Sequence, residues 1–323
     1  MSPFNFHTTS EDLTHALADK IKGRTFLITG TSANGIGAKT ATTLAREGPA
    51  HIILVSRNKA KVEPVLQEIA TVNPNVKAIF VNCELSDFDS VRAAAEQINS
   101  DASISRIDVV INNAAVMNPK EYTLDKQGYE LSLSSNHLGH FLLTNLIMPK
   151  ILAAGPGARI VNVTSKGHRL SPFRFDDYNF SNGAAYDGWS AYGQSKSANI
   201  LFSVELARRL ASKGVRSYSV HPGTIYGTSL ALHLDFSDDF KSLNEVAMRN
   251  TGMEFGTVGE AKTASQGSAP LLAAALDPDF DDRSGGFVED CQISTARPYA
   301  IDPDNARRLW ELSEKLVGQK FDL

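Results

Sequence analysis

Tyr192 and Lys196 stand four residues apart in SAYGQSKSANILFSVELARRLA (190–211), a stretch with helical periodicity. That spacing puts a phenol and an ammonium on one helix face. A phenol titrates at about 10 when unperturbed. A buried cation one turn away, together with a cationic nicotinamide where one is bound, favours the phenolate and is expected to lower that value, so that Tyr192 can give or take a proton near neutrality. A carbonyl accepting hydride also needs a hydrogen bond to polarise it. Ser165 follows the apolar run ARIVNVT (158–164). It therefore falls at the carboxyl edge of a strand, where open α/β sheets bind ligands. The same Tyr-x-x-x-Lys spacing recurs at Tyr122 and Lys126. That pair lies in polar EYTLDKQGY, with no strand-end serine before it, and reads as a surface feature.

A second chemistry-bearing stretch is ITGTSANGIG (28–37). Gly30 permits a tight turn, Gly35 lets backbone approach a pyrophosphate, and Gly37 lets helix pack on strand. The N–H groups opening that helix, from Ile36 on, then face the anion. The spacing is one residue longer than the dinucleotide pattern. The extra residue falls among Thr31, Ser32, Ala33 and Asn34, and Asn34 tolerates the left-handed conformation. A bulged but working loop is expected. At the end of the next strand, HIILVSRN, an acid would bind the ribose 2′-hydroxyl of NAD. This chain has Ser56 and Arg57 instead. A guanidinium can grip a 2′-phosphate that a carboxylate would repel, so NADP(H) is the expected cofactor, with Thr31 or Ser32 helping Arg57.

These groups need a scaffold. Apolar, β-branched runs at 25–29, 51–56, 76–81, 108–112, 158–164, 215–220 and 285–289 alternate with helical patterns at about 37–47, 59–70, 86–99 (opening on Ser86), 127–153 and 190–212. Near-continuous apolar strands suit a parallel sheet covered on both faces. The alternation implies right-handed βαβ units in an α/β, doubly wound Rossmann sheet. No Pro/Ser/Gly-rich linker divides residues 1–323, so a single domain is expected. Residues 1–22 form a helical prefix, 223–256 are irregular, and 302–317 read as a capped amphipathic helix.

Composition narrows the function classes. The net charge of −4 offers no basic surface for nucleic acid. No apolar stretch nears the length of a membrane span, and MSPFNFHTTSEDLTHALADKIKG lacks the pattern of a signal peptide. Cys83 and Cys291 form no disulfide framework and no zinc spacing. A cytoplasmic setting is expected. His137 and His140 are three apart, but no third metal ligand is evident, and they read as packing residues.

The ordered set TGTSANGIG, NCELSD, INNAA, NHLGHFLLT, RIVNVTSKGH, YGQSK, HPG and GGFVEDCQI resembles the short-chain dehydrogenase/reductase family. The likeness is to its retinol-dehydrogenase-like and WW-domain-oxidoreductase-like branch, fungal members in particular, and runs from about Ile21 to Phe321. It implies about seven strands in the order 3-2-1-4-5-6-7. It also implies a catalytic tetrad of Asn136, Ser165, Tyr192 and Lys196. Tyr192 would be the general acid/base and Ser165 would orient the substrate oxygen. Lys196 would bind the nicotinamide ribose and lower the tyrosine pKa, and Asn136 would hold a water linking Lys196 to solvent. Asn113 and Ala114 would lie by the cofactor ribose, and Glu84 and Leu85 by the adenine. Pro222, Gly223, Ile225 and Thr228 would lie by the nicotinamide, and Asn112 would tie adjacent strands.

Several features depart from the family pattern. NNAG reads NNAA, and Gly227 displaces the usual threonine to Thr228. The serine-to-tyrosine gap is 27 positions, with an aromatic-rich insert, RLSPFRFDDYNFSNGAAYDGW. Residues 231–255 fall where the family keeps a substrate lid, and their Leu, Phe and Met suit an apolar ligand. The resulting expectation is an NADP(H)-dependent carbonyl reductase or alcohol dehydrogenase, acting on an apolar small molecule and fitting secondary metabolism. A low-turnover NADP(H)-binding sensor or scaffold, and an isomerase or dehydratase using the same tetrad, are the alternatives. Relatives often pair through the helices at 127–153 and 190–212, so a homodimer is also expected.

Overall fold

A computed structural model describes residues 2–228, 230, 234 and 239–323. Eight strands form one sheet: β1 (Thr25–Thr29), β2 (His51–Ser56), β3 (Lys77–Asn82), β4 (Val109–Asn112), β5 (Arg159–Val163), β6 (Arg216–His221), β7 (Phe287–Glu289) and β8 (Gln292–Ser294). Their order is β3-β2-β1-β4-β5-β6-β7-β8, parallel except for the antiparallel β7–β8 pair. This is the doubly wound Rossmann arrangement with one short edge strand added. Three residues of mixed polarity, Gln292–Ser294, carry too little periodicity to announce β8 in the sequence.

Alternation along the strands supplies both covered faces. On β1, Leu27 points into one apolar layer while Phe26 and Ile28 point into the other. The layer holding Leu27 includes α4 (Phe88–Ser100), α6 (Gly139–Leu146), α8 (Gly188–Leu210) and α12 (Pro303–Val317). The opposite layer includes α2 (Ile36–Arg46), α3 (Lys59–Val72) and α10 (Ala264–Leu276). The prefix forms α1 (Ser10–Ala16), which opens on a Thr9 capping box and packs on α2 and α10. Further helices among the described residues are α5 (Leu131–Leu133), α7 (Met148–Leu152), α9 (Leu243–Thr251) and α11 (Pro298–Ile301).

Two helix expectations change. The cap of α4 is Asp87, not Ser86; its carboxylate accepts the N–H groups of Asp89 and Ser90, and two such bonds outcompete a hydroxyl. The expected helix 127–153 starts later, at Leu131, and runs on through α5, a π-helical stretch Ser134–Leu138 and α6 before Ile147 separates it from α7. Residues 124–130 turn back on themselves instead, with Leu124 bridging Glu130 and Gly128 at φ +86°. Ile147 ends α6 and caps α7, which carries Pro149 in its first turn.

The amphipathic C-terminal helix lies along α8. Trp310 meets Phe141 edge-on at 4.9 Å, and Arg209 sits 4.2 Å over the Trp310 ring. This part of the surface expected to pair two copies is thus covered within the chain. Among the described residues, no helix is long and apolar enough to cross a membrane.

Candidate active site

A cleft of about 580 Å³ runs across the carboxyl ends of β1, β2, β4, β5 and β6. Its lining runs from Gly30, Ser32, Gly35 and Ile36, past Ser56, Arg57, Glu84, Leu85, Asn113 and Ala114, to Ser165, Tyr192 and Lys196. Pro222, Gly223, Ile225 and Thr228 line it as well. Three expected loop residues lie elsewhere. Thr31 is buried, and its hydroxyl finds no hydrogen-bond partner among the described residues. Asn34 takes the left-handed φ of +65° within the Ser32–Gly35 turn. Gly37 lies behind the cleft in the packing role expected of it: a Cβ there would stand 2.5 Å from the Gly30 carbonyl oxygen.

The glycine turn is fixed from below. Thr29 Oγ1 accepts the main-chain N–H groups of Asn113 (2.8 Å) and Ala114 (2.9 Å). The Asn113 amide donates to the carbonyls of Thr29 and Gly30. Asn112 donates to Asn162 on the neighbouring strand at 2.8 Å. Gly35 caps α2 without a side-chain bond, so the first-turn N–H groups are left for an outside acceptor. An uncapped helix start beside a glycine cradle fits a pyrophosphate.

At the adenosine end, Arg57 is 69% exposed and bonds Glu84 at 3.2 Å. Lys61, on the first turn of α3, lines the same recess. The motif reading passed over it; the cue was the run of cations Arg57, Lys59 and Lys61 just past a strand end.

At the other end, α8 starts on Asp187, whose carboxylate caps Ser190. It carries Tyr192 (5% exposed) and Lys196 (2% exposed) inward. The Lys196 ammonium lies 5.5 Å from the Tyr192 ring centre and donates to the Val163 carbonyl at 3.2 Å. Tyr192 shares a hydrogen bond with Ser165. In the protein alone, burial outweighs the neighbouring cation. Burial pushes Tyr192 up to about 12, with the Ser165 bond offsetting part of the rise. Burial also brings Lys196 down to about 7, which weakens the pull of its charge on the phenol. The protein by itself holds Tyr192 as a phenol, ready to donate.

Asn136 braces the site. Its amide donates to the Val116 carbonyl and to Ser195 Oγ, both at 2.9 Å, and accepts the Val116 N–H at 2.8 Å. Ser195 Oγ in turn donates to the Tyr192 carbonyl. These bonds occupy the Asn136 side chain, and its main-chain oxygen lies 3.0 Å from His140 Nδ1.

Beyond Tyr192 the wall is apolar: Met117, Leu170, Trp189, Phe240, Leu243 and Phe255. Trp189 stands edge-on to Tyr192 and to Phe240, and its indole N–H donates to the Asp239 carbonyl. Its position one helical turn before Tyr192 was the available signal. Of the expected lid, residues 231–233 and 235–238 lie outside the described residues, as does Ser229 before it. The other Tyr-x-x-x-Lys pair does different work: Tyr122 donates to the Asn179 carbonyl and exposed Lys126 pairs with Asp87. Cys83 and Cys291 are buried free thiols. Among the described residues no group of metal ligands converges.

Burial holds several histidines neutral, with His137 down to about 3 and His140 and His168 down to about 4. Folded-state values below the unfolded ~6.5 mean the unfolded chain binds more protons as pH falls. Their contribution to stability is complete above about 6.5 and is lost on acidification toward about 4. The melting temperature should therefore fall steadily between pH 7 and pH 4; a flat profile would contradict this burial.

The comparisons agree with this geometry. The family profile described as "short chain dehydrogenase" matches residues 24–235. The chain is 38% identical to human "Retinol dehydrogenase 11" over 303 residues, covering 94% of this chain and 88% of the relative. It is 33% identical to "Short-chain dehydrogenase/reductase prx1" of Penicillium roqueforti over 315 residues, covering 93% and 86%. An uncharacterised Mycobacterium paratuberculosis protein superposes with a TM-score of 0.68 at 31% identity, covering 94% and 96%. Levodione reductase, at 20% identity and TM-score 0.62 over 83% of this chain and 95% of its own, shares the fold.

Proposed function

Because this chain belongs to the short-chain dehydrogenase/reductase family, we propose that it is an NADP(H)-dependent oxidoreductase interconverting a ketone or aldehyde and its alcohol on a bulky apolar small molecule. Membership supplies the coarse part: carbonyl–alcohol oxidoreduction with a nicotinamide dinucleotide. The finer part rests above all on one observation. A single cleft joins an uncapped glycine turn and two cations at one end to a buried Ser165–Tyr192–Lys196 group and an apolar wall at the other.

The residues fit the dinucleotide. Gly30, Gly35 and the start of α2 would hold the pyrophosphate, Arg57 and Lys61 a 2′-phosphate, and Lys196 the nicotinamide ribose. When bound, the cofactor supplies or accepts the hydride. The chain's own residues do the rest in the reducing direction. Ser165 hydrogen-bonds the carbonyl oxygen and polarises it. Tyr192 donates its phenolic proton to that oxygen as negative charge develops. Lys196 stabilises the phenolate left behind, and Asn136 keeps the Tyr192–Ser195 turn in register. The apolar wall around Trp189 and Phe255 excludes water and suits a substrate with a large hydrocarbon body. The name of the human relative points to a retinoid-sized alcohol or aldehyde.

Cofactor choice is tested by titration. Wild type should bind NADPH more tightly than NADH, and Arg57→Ala should shrink that preference by about tenfold or more, the worth of one charge-assisted contact. Equal affinities in wild type, or a preference untouched by Arg57→Ala, would contradict the NADP(H) reading.

A further inference from the structure

His140 is fully buried and takes no part in the proton transfer above. Its Nε2 lies 2.8 Å from Thr29 Oγ1, and its Nδ1 lies 3.0 Å from the main-chain oxygen of Asn136. The surrounding bonds fix its tautomer. Thr29 Oγ1 already accepts two N–H groups, from Asn113 and Ala114. A hydroxyl has two acceptor sites, so its own proton goes to His140 Nε2. Nδ1 then carries the ring proton and donates it to the Asn136 carbonyl. Burial keeps the ring neutral, so this pattern persists at physiological pH. His137 does not join it; its Nε2 bonds Ser313 Oγ at 2.8 Å.

The ring therefore spans two assemblies. On one side is the floor of the glycine turn: Thr29, Asn113 and Ala114, with Asn113 holding the Gly30 carbonyl. On the other is Asn136, which braces Val116 and, through Ser195, the main chain of Tyr192. His140 is the second residue of α6, just past the π-helical stretch that holds Asn136. Few side chains can accept from one side and donate to the other across such a gap; a neutral imidazole can.

We infer that His140 is a positioning residue that locks the cofactor-side turn to the Asn136 turn of the tetrad, so that hydride and proton geometry are set together. The inference rests on the oxidoreductase reading, but its test does not depend on turnover alone. His140→Leu keeps apolar volume and removes both bonds. It should raise the NADPH dissociation constant, read by fluorescence titration, and lower kcat, each by about tenfold, the scale of one buried hydrogen bond. Thr29→Val cuts the same bridge from the other end, and Thr29→Ser should restore most of what Thr29→Val loses. Adding His140→Leu to Thr29→Val should cost little more, since the link is already cut. If His140→Leu does not fold, His140→Asn, which keeps a donor near the Nδ1 position, and the Thr29 pair carry the same test. Multiplicative losses in the double variant, or NADPH affinity unchanged in His140→Leu, would overturn the bridge. Absence of any carbonyl turnover would instead sink the oxidoreductase reading and leave the binding result to decide the bridge.

Discussion

Tyr192→Phe should lower kcat for carbonyl reduction by about 10²–10⁴-fold, the usual worth of a positioned general acid. The substitution deletes one oxygen and keeps the ring. The ring packs edge-on to Trp189 and lies close above Gly167, where a Cβ would stand 2.6 Å from Tyr192 Cε1. Packing, and with it the melting temperature, should barely change. The glycine turn and Arg57 are remote from the hydroxyl, so NADPH affinity should stay within a few-fold of wild type. The lost hydroxyl is held as a phenol by burial, so the loss is of a proton donor and not of a pre-formed anion. Steady-state kinetics with a saturating aldehyde, beside an NADPH titration, separates the two effects. Wild-type turnover in Tyr192→Phe would remove Tyr192 from the mechanism.

Gly37→Val should abolish useful dinucleotide binding. A Cβ at residue 37 would stand 2.5 Å from the Gly30 oxygen and 2.6 Å from Asn113 Nδ2. The nearer neighbour is backbone held by Asn113, so it cannot swing aside. Relief requires the start of α2 to back away from β1, carrying its open N–H groups off the cleft. Overpacking of this kind costs about 1–3 kcal/mol, and a binding loss beyond tenfold follows from the displaced helix start. NADPH titration and thermal melting check both parts. Unchanged affinity in a folded Gly37→Val protein would mean that α2 does not hold the phosphates. Gly35→Ala should be milder, because its new Cβ meets the Ser32 carbonyl at 3.2 Å.

Much of this was legible in the sequence for a physical reason. Fully covered strands must be apolar along their whole length, so TFLIT and HIILVS declare themselves, and their spacing through helices dictates a parallel sheet. Asn34 was legible because few other residues accept a left-handed turn. Side-chain competition was not. The π-helical widening at 134–138 lies where Asn136 bonds Val116, a contact from another part of the chain that no local period shows. The β8 edge is too short and mixed to show a period. Residue spacing reveals a lysine beside Tyr192 but not the burial that opposes both charges in the protein alone. Lys61 and Trp189 belong to the cleft through positions on helix faces, which a motif read one residue at a time passes over.

The most direct test of the account is NADPH oxidation by the purified wild-type chain across a panel of aldehydes and ketones of increasing apolar bulk, with NADP⁺ and the matching alcohols run in reverse. The expected result is turnover that favours large apolar carbonyls and prefers NADPH to NADH. A chain that binds NADPH but turns over no carbonyl or alcohol in the panel would contradict it and leave a cofactor-binding protein without this chemistry.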